Sequence, residues 1–288
     1  MKTILVTGAN GFIGRALTKK LTDKKYNVME LNSSDGDISV IDLIKKYSTI
    51  HIDYIFHLAS RTFVPDSWDD PISFYKTSVI GTNNILELCR NKNIALTFVS
   101  AYLYGAPVKL PISEDDPIQP NNHYANSKYM AENLCKFYSE QHDLKVTIAR
   151  PFNIYGKEQK ENFLIPYIID QVLNSSVIKV KDLQPKRDYV YLDDFINGLL
   201  NTIESKEKFS VYNFGSGIEL SVKEVINIVQ KIENTNKKIY SEEIERKNEI
   251  MNVVADISKA KENLNWVPNY TFEEGILEII KDIKNGKK

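Results

Sequence analysis

The sequence predicts an α/β fold, in which a doubly wound parallel sheet is followed by a smaller mixed α/β lobe toward the C-terminus. Short apolar runs typical of buried strands alternate with helical patterns through the first 150 residues. The first strand–helix connection contains three glycines, Gly8, Gly11 and Gly14. Beyond Arg150, prolines interrupt the alternation and the segments become shorter, which predicts the second lobe.

The first strand, its glycine turn and the following helix form the most informative segment. Residues 4–6 are apolar, as in a buried strand, and an apolar helical stripe begins at Ile13. Gly8 permits a tight turn, Gly11 lets the backbone approach a pyrophosphate, and Gly14 lets the helix pack close to the strand. The N-terminus of the helix offers N–H groups to the phosphates. This order favours a dinucleotide-binding, Rossmann-type domain over a glycine-rich turn of another α/β protein.

The remaining elements follow in chain order. Strands are predicted over 28–31, 54–58, 96–99 and 146–149, and helices over 40–47, 71–89 and 127–140. Ligands bind at the carboxyl ends of such strands, so functional residues are expected in 7–14, 58–62, 100–105 and 150–156. In the later half we predict strands over 177–180 and 211–214 and a helix that starts at the capping box of Ser221 and Glu224. The segments 188–203 and 211–215 are expected to return to the main sheet.

Composition excludes several classes of protein. The chain is 42% hydrophobic and 26% charged, as expected of a globular protein. A net charge of −1 gives no electrostatic reason to expect nucleic acid or membrane as a partner. No apolar run approaches the length of a membrane span, and a strand begins at once, so we expect a cytoplasmic protein without a signal peptide. The two cysteines, Cys89 and Cys135, are far apart and predict neither a disulfide nor a metal site.

A second motif pairs Tyr124 with Lys128. Residues at i and i+4 lie on one face of a helix, so the ammonium can sit near the phenol. The pair follows Ser100 by about 25 residues, and Ser100 follows a strand whose carboxyl end should face the cofactor. Each residue alone also has an ordinary structural interpretation: a buried aromatic, a solvated helix residue and a strand cap.

With both motifs, the chain resembles the extended short-chain dehydrogenase/reductase family, specifically its nucleotide-sugar epimerases, dehydratases and reductases. The matching stretches are 7–14, 36–38, 57–60, 81–86, 100–105, 150–156, 187–194 and 255–268, with a partial match at 246–249. The resemblance implies that residues 1–151 with roughly 186–216 bind the dinucleotide, and that roughly 152–185 with 217–288 bind the nucleotide sugar. It also implies a homodimer through the 71–89 and Tyr124 helices.

The resemblance implies roles for individual residues. Tyr124 would be the acid/base, Lys128 would bind the nicotinamide ribose, and Ser100 would orient the sugar oxygen. The pKa of the phenol, ordinarily ~10, would have to fall by roughly three units, with Lys128 and the oxidised nicotinamide supplying positive charge. The dinucleotide would contact Gly8, Asn10, Gly11, Phe12, Ile13, Gly14, Asn32, Ser33, Asp37, Ile38, Leu58, Ala59, Ser60, Tyr124 and Lys128. The substrate would contact Ser100, Tyr102, Asn153, Arg187, Arg246 and Glu249.

For Arg187 and Arg246, the alternative to substrate binding is that each forms a surface ion pair, such as Arg187 with Asp188. In the family, the position that Glu249 occupies is usually Asp and contacts the nucleotide ribose. Because Glu249 stands there instead, the resemblance supports this contact less strongly than the other substrate contacts.

Departures from the family pattern narrow the function. Ala101 and Tyr102 stand where dehydratases carry a carboxyl group, which disfavours that activity. Asn32 stands where NAD-binding members carry Asp, and Arg15 lies within reach, which favours NADP over NAD. The alternative is that NAD binds without the carboxylate.

Three functions remain open. The short link to Asp37 and the sequence 150–153 with Gln159 favour a reductase of 4-keto-6-deoxy nucleotide sugars. The main alternative is an NAD-dependent nucleotide-sugar 4-epimerase. A remote one is a non-catalytic cofactor-binding protein, which the Tyr–Lys pair disfavours.

Overall fold

The computed structural model describes residues 1–243 and 249–286. The strands are β1 (Thr3–Thr7), β2 (Asn27–Leu31), β3 (Tyr54–His57), β4 (Ala95–Val99), β5 (Val146–Pro151), β6 (Asn153–Tyr155), β7 (Val177–Val180), β8 (Lys186–Tyr191), β9 (Phe209–Phe214), β10 (Glu219–Ser221) and β11 (Lys238–Ser241). The helices are α1 (Phe12–Asp23), α2 (Ile41–Lys45), α3 (Asp66–Asp69), α4 (Pro71–Tyr75), α5 (Gly81–Lys92), α6 (His123–His142), α7 (Leu164–Asn174), α8 (Leu192–Thr202), α9 (Val222–Ile232), α10 (Ser258–Leu264) and α11 (Phe272–Gly286). None of these helices is long and apolar enough to cross a membrane.

The main sheet is parallel, as predicted. Within the described residues, β2, β1, β3, β4, β5 and β9 pair in that order as a six-stranded sheet. The strand order reverses between β1 and β3, and a crevice forms at such a point outside the carboxyl ends of the strands. The four strands predicted after the first, and the strand predicted at 211–214, are therefore confirmed.

Helices cover both faces of the sheet because each carries one apolar stripe. On one face, Leu17 and Leu21 of α1 pack into a core with Phe195 and Leu199 of α8. On the other face, α5 and α6 pack into a second core that contains both cysteines, which are buried free thiols. The doubly wound architecture follows from these two cores.

The helix predicted over 71–89 is interrupted. It consists of α4, a π-helical segment (Lys76–Ile80) and α5 in direct succession. π-helical turns inside α-helices occur frequently at functional sites. Here the π-helical segment places Thr77 at the wall of a large cavity at the carboxyl ends of the main-sheet strands.

The second lobe has its own sheets and core. Strand β8 pairs with β6 and β10 in a three-stranded sheet, and β7 pairs with β11. The expectation that 188–203 returns to the main sheet is therefore wrong for its strand, whereas α8 packs on the core of the main sheet. The predicted capping box is present: the Ser221 hydroxyl accepts from the Glu224 N–H, and the Glu224 carboxylate accepts from the Ser221 N–H.

Candidate active site

A cavity of about 1190 Å³ lies at the carboxyl ends of the main-sheet strands and is closed on its far side by the second lobe. Its walls come from all four predicted segments, 7–14, 58–62, 100–105 and 150–156, together with residues 163–165, Tyr189 and Ile250. Pockets for one small ligand span about 300–1,000 Å³. The cavity is therefore large enough for an extended cofactor and a second ligand.

The glycine turn shapes one wall of this cavity. Gly8 has a φ of +71°, and a Cβ there would come within 2.9 Å of the Ala59 nitrogen. A Cβ on Gly14 would lie 2.2 Å from the Gly8 oxygen, so only glycine allows α1 to start this close to β1. Gly11 is the N-cap of α1, and no side chain caps the helix. The first N–H groups of α1 are thus available to an anionic ligand, which fits the pyrophosphate of a dinucleotide.

All of the predicted cofactor residues line the cavity. They are Gly8, Asn10, Gly11, Phe12, Ile13, Gly14, Asn32, Ser33, Asp37, Ile38, Leu58, Ala59, Ser60, Tyr124 and Lys128. Of the predicted substrate residues, Ser100, Tyr102 and Asn153 line it, whereas Arg187 and Glu249 do not. Arg246 lies outside the described residues.

Ser100, Tyr124 and Lys128 all line the cavity. Lys128 is 2% exposed, and its Nζ donates to the Val99 carbonyl oxygen over 2.8 Å. This bond joins α6 to the end of β4, immediately before Ser100. The Ser100 hydroxyl is buried and has no hydrogen-bond partner among the described residues. A buried unpaired hydroxyl at a cavity wall is suited to binding a ligand oxygen.

Burial is the main influence on the pKa values of Tyr124 and Lys128. It raises the pKa of the Tyr124 phenol to about 12. It also lowers the pKa of the Lys128 ammonium to about 7. The lowered phenol pKa that we expected Lys128 to help produce is thus not produced by the protein's own groups. Positive charge from a bound ligand has to supply the difference.

Asn32, which follows β2, lies near the Arg15 guanidinium. The Asn32 Oδ1 accepts from the Asn10 N–H over 2.7 Å, and the Asn10 carbonyl accepts from Arg15 Nη1 over 2.7 Å. Arg15 also pairs with Glu158 over 2.9 Å, and both side chains are about half exposed or more. The Asn32 N–H donates to the Asp35 carboxylate over 2.7 Å. The strand end therefore carries an amide with both a guanidinium and a carboxylate close by.

The two other predicted substrate residues in the cavity already have partners. The Asn153 Nδ2 donates to the Asp188 carbonyl over 3.0 Å, and the Tyr102 hydroxyl donates to the Gly105 carbonyl over 2.6 Å. The Asn153 amide oxygen remains as a group that a ligand could contact, whereas the Tyr102 ring also packs against Tyr104 and Phe152.

Arg187 is held by its own chain. Its Nη2 donates to the Glu249 carboxylate, and its Nη1 donates to the carbonyl oxygens of Lys186 (2.8 Å) and Ile250 (2.5 Å). The ion pair considered with Asp188 does not form. Asp188 is fully buried, and its carboxylate accepts instead from backbone N–H groups of Ser216, Gly217 and Ala255.

Two polar groups of the cavity were not selected from the sequence as binding residues. The Tyr189 hydroxyl and the Gln159 Oε1 are buried and have no partner in the part of the chain that the structure describes, and both residues line the cavity. Tyr189 lies in the matching stretch 187–194, in which the resemblance implies a substrate contact for Arg187 alone. The unpaired hydroxyl becomes visible only when the fold is known.

The switch-point crevice, the glycine turn and the buried Tyr–Lys pair together define a Rossmann-type dinucleotide-binding enzyme. More particularly, the chain belongs to the NAD dependent epimerase/dehydratase family, whose model matches residues 4–215. It is thus an enzyme of the extended short-chain dehydrogenase/reductase group, as the resemblance predicted.

Relatives of two activities match the chain almost end to end. A protein of Methanocaldococcus jannaschii, provisionally named UDP-glucose 4-epimerase, is 32% identical, and the match covers 99% of both chains. The GDP-6-deoxy-D-talose 4-dehydrogenase of Aggregatibacter actinomycetemcomitans is 31% identical, and the match covers 96% of this chain and 95% of the relative.

Solved structures also match the chain almost end to end. The UDP-glucose 4-epimerase of Thermotoga maritima with UDP-glucose is 27% identical, with a TM-score of 0.93 over 99% of this chain and 100% of that one. RMD from Pseudomonas aeruginosa in complex with NADPH is 26% identical, with a TM-score of 0.91 over the same shares. The 4-epimerase and 4-dehydrogenase relatives both match nearly the whole chain, so overall similarity does not separate the two activities.

Proposed function

We propose that the protein is an NAD(P)H-dependent oxidoreductase acting at C4 of a nucleotide-activated sugar, and specifically a reductase of a 4-keto-6-deoxy nucleotide sugar. The observation that carries the proposal is the unpaired Ser100 hydroxyl, which faces the cavity next to Tyr124 and Lys128. These three groups can hold and protonate one sugar oxygen.

Each residue has a distinct task in this reaction. The Ser100 hydroxyl donates to the C4 carbonyl oxygen and fixes it near the phenol. Tyr124 gives its proton to that oxygen as the carbonyl is reduced. Lys128, anchored on the Val99 carbonyl, places further donors beside the phenol and the ribose of the cofactor. When bound, the nicotinamide supplies the hydride and, once oxidised, a positive charge that favours the phenolate.

The cofactor end of the cavity supports a reductase. Residues 33–37, which follow β2, are exposed, so the adenosine portion of a dinucleotide would lie at the protein surface. A reductase has to exchange its cofactor in every turnover, whereas an epimerase retains it. The 150–153 sequence and Gln159, whose amide oxygen is unpaired at the cavity wall, support the same choice.

We further propose NADP as the preferred cofactor. Asn32 replaces the carboxylate that would repel a 2′-phosphate, and Asn10 connects it to Arg15 through its own backbone N–H and carbonyl groups. The exposed Arg15–Glu158 pair contributes little to stability, so a phosphate can compete for the guanidinium. The NADPH complex of the P. aeruginosa neighbour is in line with this choice.

The diphosphate and the dimer remain proposals from the resemblance. Asn153, Arg187 and Arg246 would bind the diphosphate of the sugar nucleotide, which requires Glu249 to share Arg187. A homodimer would cover exposed apolar side chains on the helices of residues 71–92 and on α6, namely Ile72, Ile80, Met130 and Phe137.

A 4-epimerase is the second candidate, because an epimerase is among the structures that match the whole chain, with a TM-score of 0.93. Cofactor residence separates the two functions. Protein purified without added cofactor is denatured, and the released nucleotides are identified by chromatography. We expect no retained dinucleotide and rapid exchange of added NADPH. Stoichiometric, tightly held NAD would favour the epimerase.

A further inference from the structure

The face of α6 that carries Tyr124 and Lys128 also carries a buried carboxylate, that of Glu132, one helical turn after Lys128. Tyr124, Lys128 and Glu132 are spaced at i, i+4 and i+8, so they lie on one face of the helix. Side chains on a helix lean toward its N-terminus, which directs Glu132 toward Lys128. Glu132 is 5% exposed and Lys128 is 2% exposed, so little water lies between them to screen their interaction.

Arg150 of β5 holds this carboxylate. Its Nε lies 3.0 and 3.2 Å from the two Glu132 oxygens, and its Nη2 lies 2.7 Å from Oε2. The remaining nitrogen, Nη1, donates to the Tyr104 hydroxyl over 2.9 Å, and Tyr104 donates to Asn213 over 2.6 Å. Tyr104 belongs to the loop that begins with Ser100. One buried ion pair therefore joins the helix of Tyr124 and Lys128 to the loop of Ser100.

We propose that Glu132 is a positioning residue for the reaction: gripped by Arg150, it keeps the Lys128 ammonium charged and fixes α6 against the Ser100 loop. This inference rests on the proposed function for the roles of Lys128 and Ser100. It adds a group that touches neither cofactor nor substrate and acts through residues that do.

The other groups near Lys128 leave the electrostatic task to Glu132. The groups that face Lys128 or its partner are Tyr124 and Cys135 of α6, His57 of β3, Phe98 and the Val99 carbonyl of β4, and Arg150 of β5. Burial lowers the pKa of His57 to about 3 and raises that of Cys135, so both are neutral near pH 7. Burial lowers the pKa of Lys128, whereas Cys135 and Glu132 oppose that fall. Because the Cys135 thiol is neutral near pH 7, the opposing charge is assigned to the Glu132 carboxylate.

The test compares Glu132→Gln, which removes the charge, with Glu132→Asp, which retains it. Glu140→Gln is the matched control, because Glu140 is an exposed carboxylate on the same helix and, among the described residues, forms an ion pair with Lys136 over 3.9 Å. The first readout needs no substrate: NMR titration of ¹³C-labelled lysine, with the Lys128 signal assigned by its loss in Lys128→Met. The second readout is the pH profile of kcat.

We expect the Lys128 titration to move about one pH unit or more lower in Glu132→Gln and to stay close to the parent in Glu132→Asp and Glu140→Gln. The basic limb of kcat should move with it. In Glu132→Asp, kcat should fall roughly tenfold at unchanged cofactor affinity, because the helix is displaced from the loop.

If Glu132→Gln folds and its Lys128 titrates at the same pH as in the parent, the proposal is overturned. If that variant does not fold, a parental kcat in Glu132→Asp overturns it, and a reduced kcat supports it. A purely structural role would lower thermal stability without moving the titration. Should the parent reduce no keto sugar, the proposed function fails, while the NMR readout still decides the influence of Glu132 on Lys128.

Discussion

At the scale of single residues, the account depends on Tyr124 as the proton donor. Tyr124→Phe removes only the phenol hydroxyl, so turnover should fall by about 10²–10⁴-fold while cofactor and nucleotide bind normally. Steady-state kinetics and titration of NADPH fluorescence measure the two effects. Tyr129→Phe on the same helix, which does not line the cavity, is the control and should retain parental turnover. Turnover of Tyr124→Phe within twofold of the parent would refute the assignment.

Tyr189 tests whether an unpaired hydroxyl marks the substrate site. Burial raises the pKa of Tyr189 to about 12, and Arg187 opposes this rise. Tyr189 lies opposite Asn153 in the β6–β8 pairing, at the proposed diphosphate end. Tyr189→Phe should raise the KM for the nucleotide sugar about three- to tenfold and leave kcat near the parent value. Tyr212→Phe removes another buried, unpaired hydroxyl that lies outside the cavity, and it should not change KM. Equal effects of the two variants would show that the Tyr189 hydroxyl does not contact substrate.

Asn32 tests the cofactor preference. Asn32→Asp places a carboxylate at the end of β2, where it would repel a 2′-phosphate, so the Kd for NADPH should rise about tenfold or more, and that for NADH much less. The control is Asn27→Asp, which adds the same charge at the exposed start of the strand. A parent that already binds NADH tenfold more tightly than NADPH would contradict the preference.

At the scale of elements, Asp188 connects β8 to two other segments of the second lobe. Its buried carboxylate accepts N–H groups from the loop after β9 and from Ala255. Asp188→Ala leaves these donors without an acceptor, so the free energy of unfolding should fall by about 3 kcal/mol in urea denaturation. Asp193→Ala, at an exposed acid in the first turn of α8, should cost well under 1 kcal/mol. Similar losses in the two variants would contradict this role.

Elements specified by local pattern could be predicted from the sequence. The β1–α1 turn is an example, since Gly8 and Gly14 are required by contacts within the turn and with the adjacent β3–loop backbone. The π-helical segment and the placement of β8 could not, because they depend on how distant elements pack. The same holds for the Arg187–Glu249 pair and for the direction of the Tyr124 pKa, which is set by burial. Position in the cavity was predictable for the cofactor residues and for Ser100, Tyr102 and Asn153, but not for Arg187 and Glu249, which do not line it. Hydrogen-bond partners and protonation were not predictable.

At the scale of the whole molecule, the fold serves both candidate activities, so function depends on whether the cofactor leaves after each hydride transfer. The exposed cofactor end at residues 33–37 and the Asn32 environment support exchange. The central claim is therefore a claim about net consumption of reduced cofactor during turnover.

The most direct measurement offers the protein a 4-keto-6-deoxy nucleotide sugar with NADPH or NADH and follows absorbance at the nicotinamide band. In parallel, UDP-glucose is supplied without added cofactor and its products are separated by chromatography. We predict stoichiometric oxidation of the reduced cofactor in the first reaction and no interconversion in the second. Interconversion of UDP-glucose with no cofactor consumption in the first reaction would contradict the reductase and establish the epimerase.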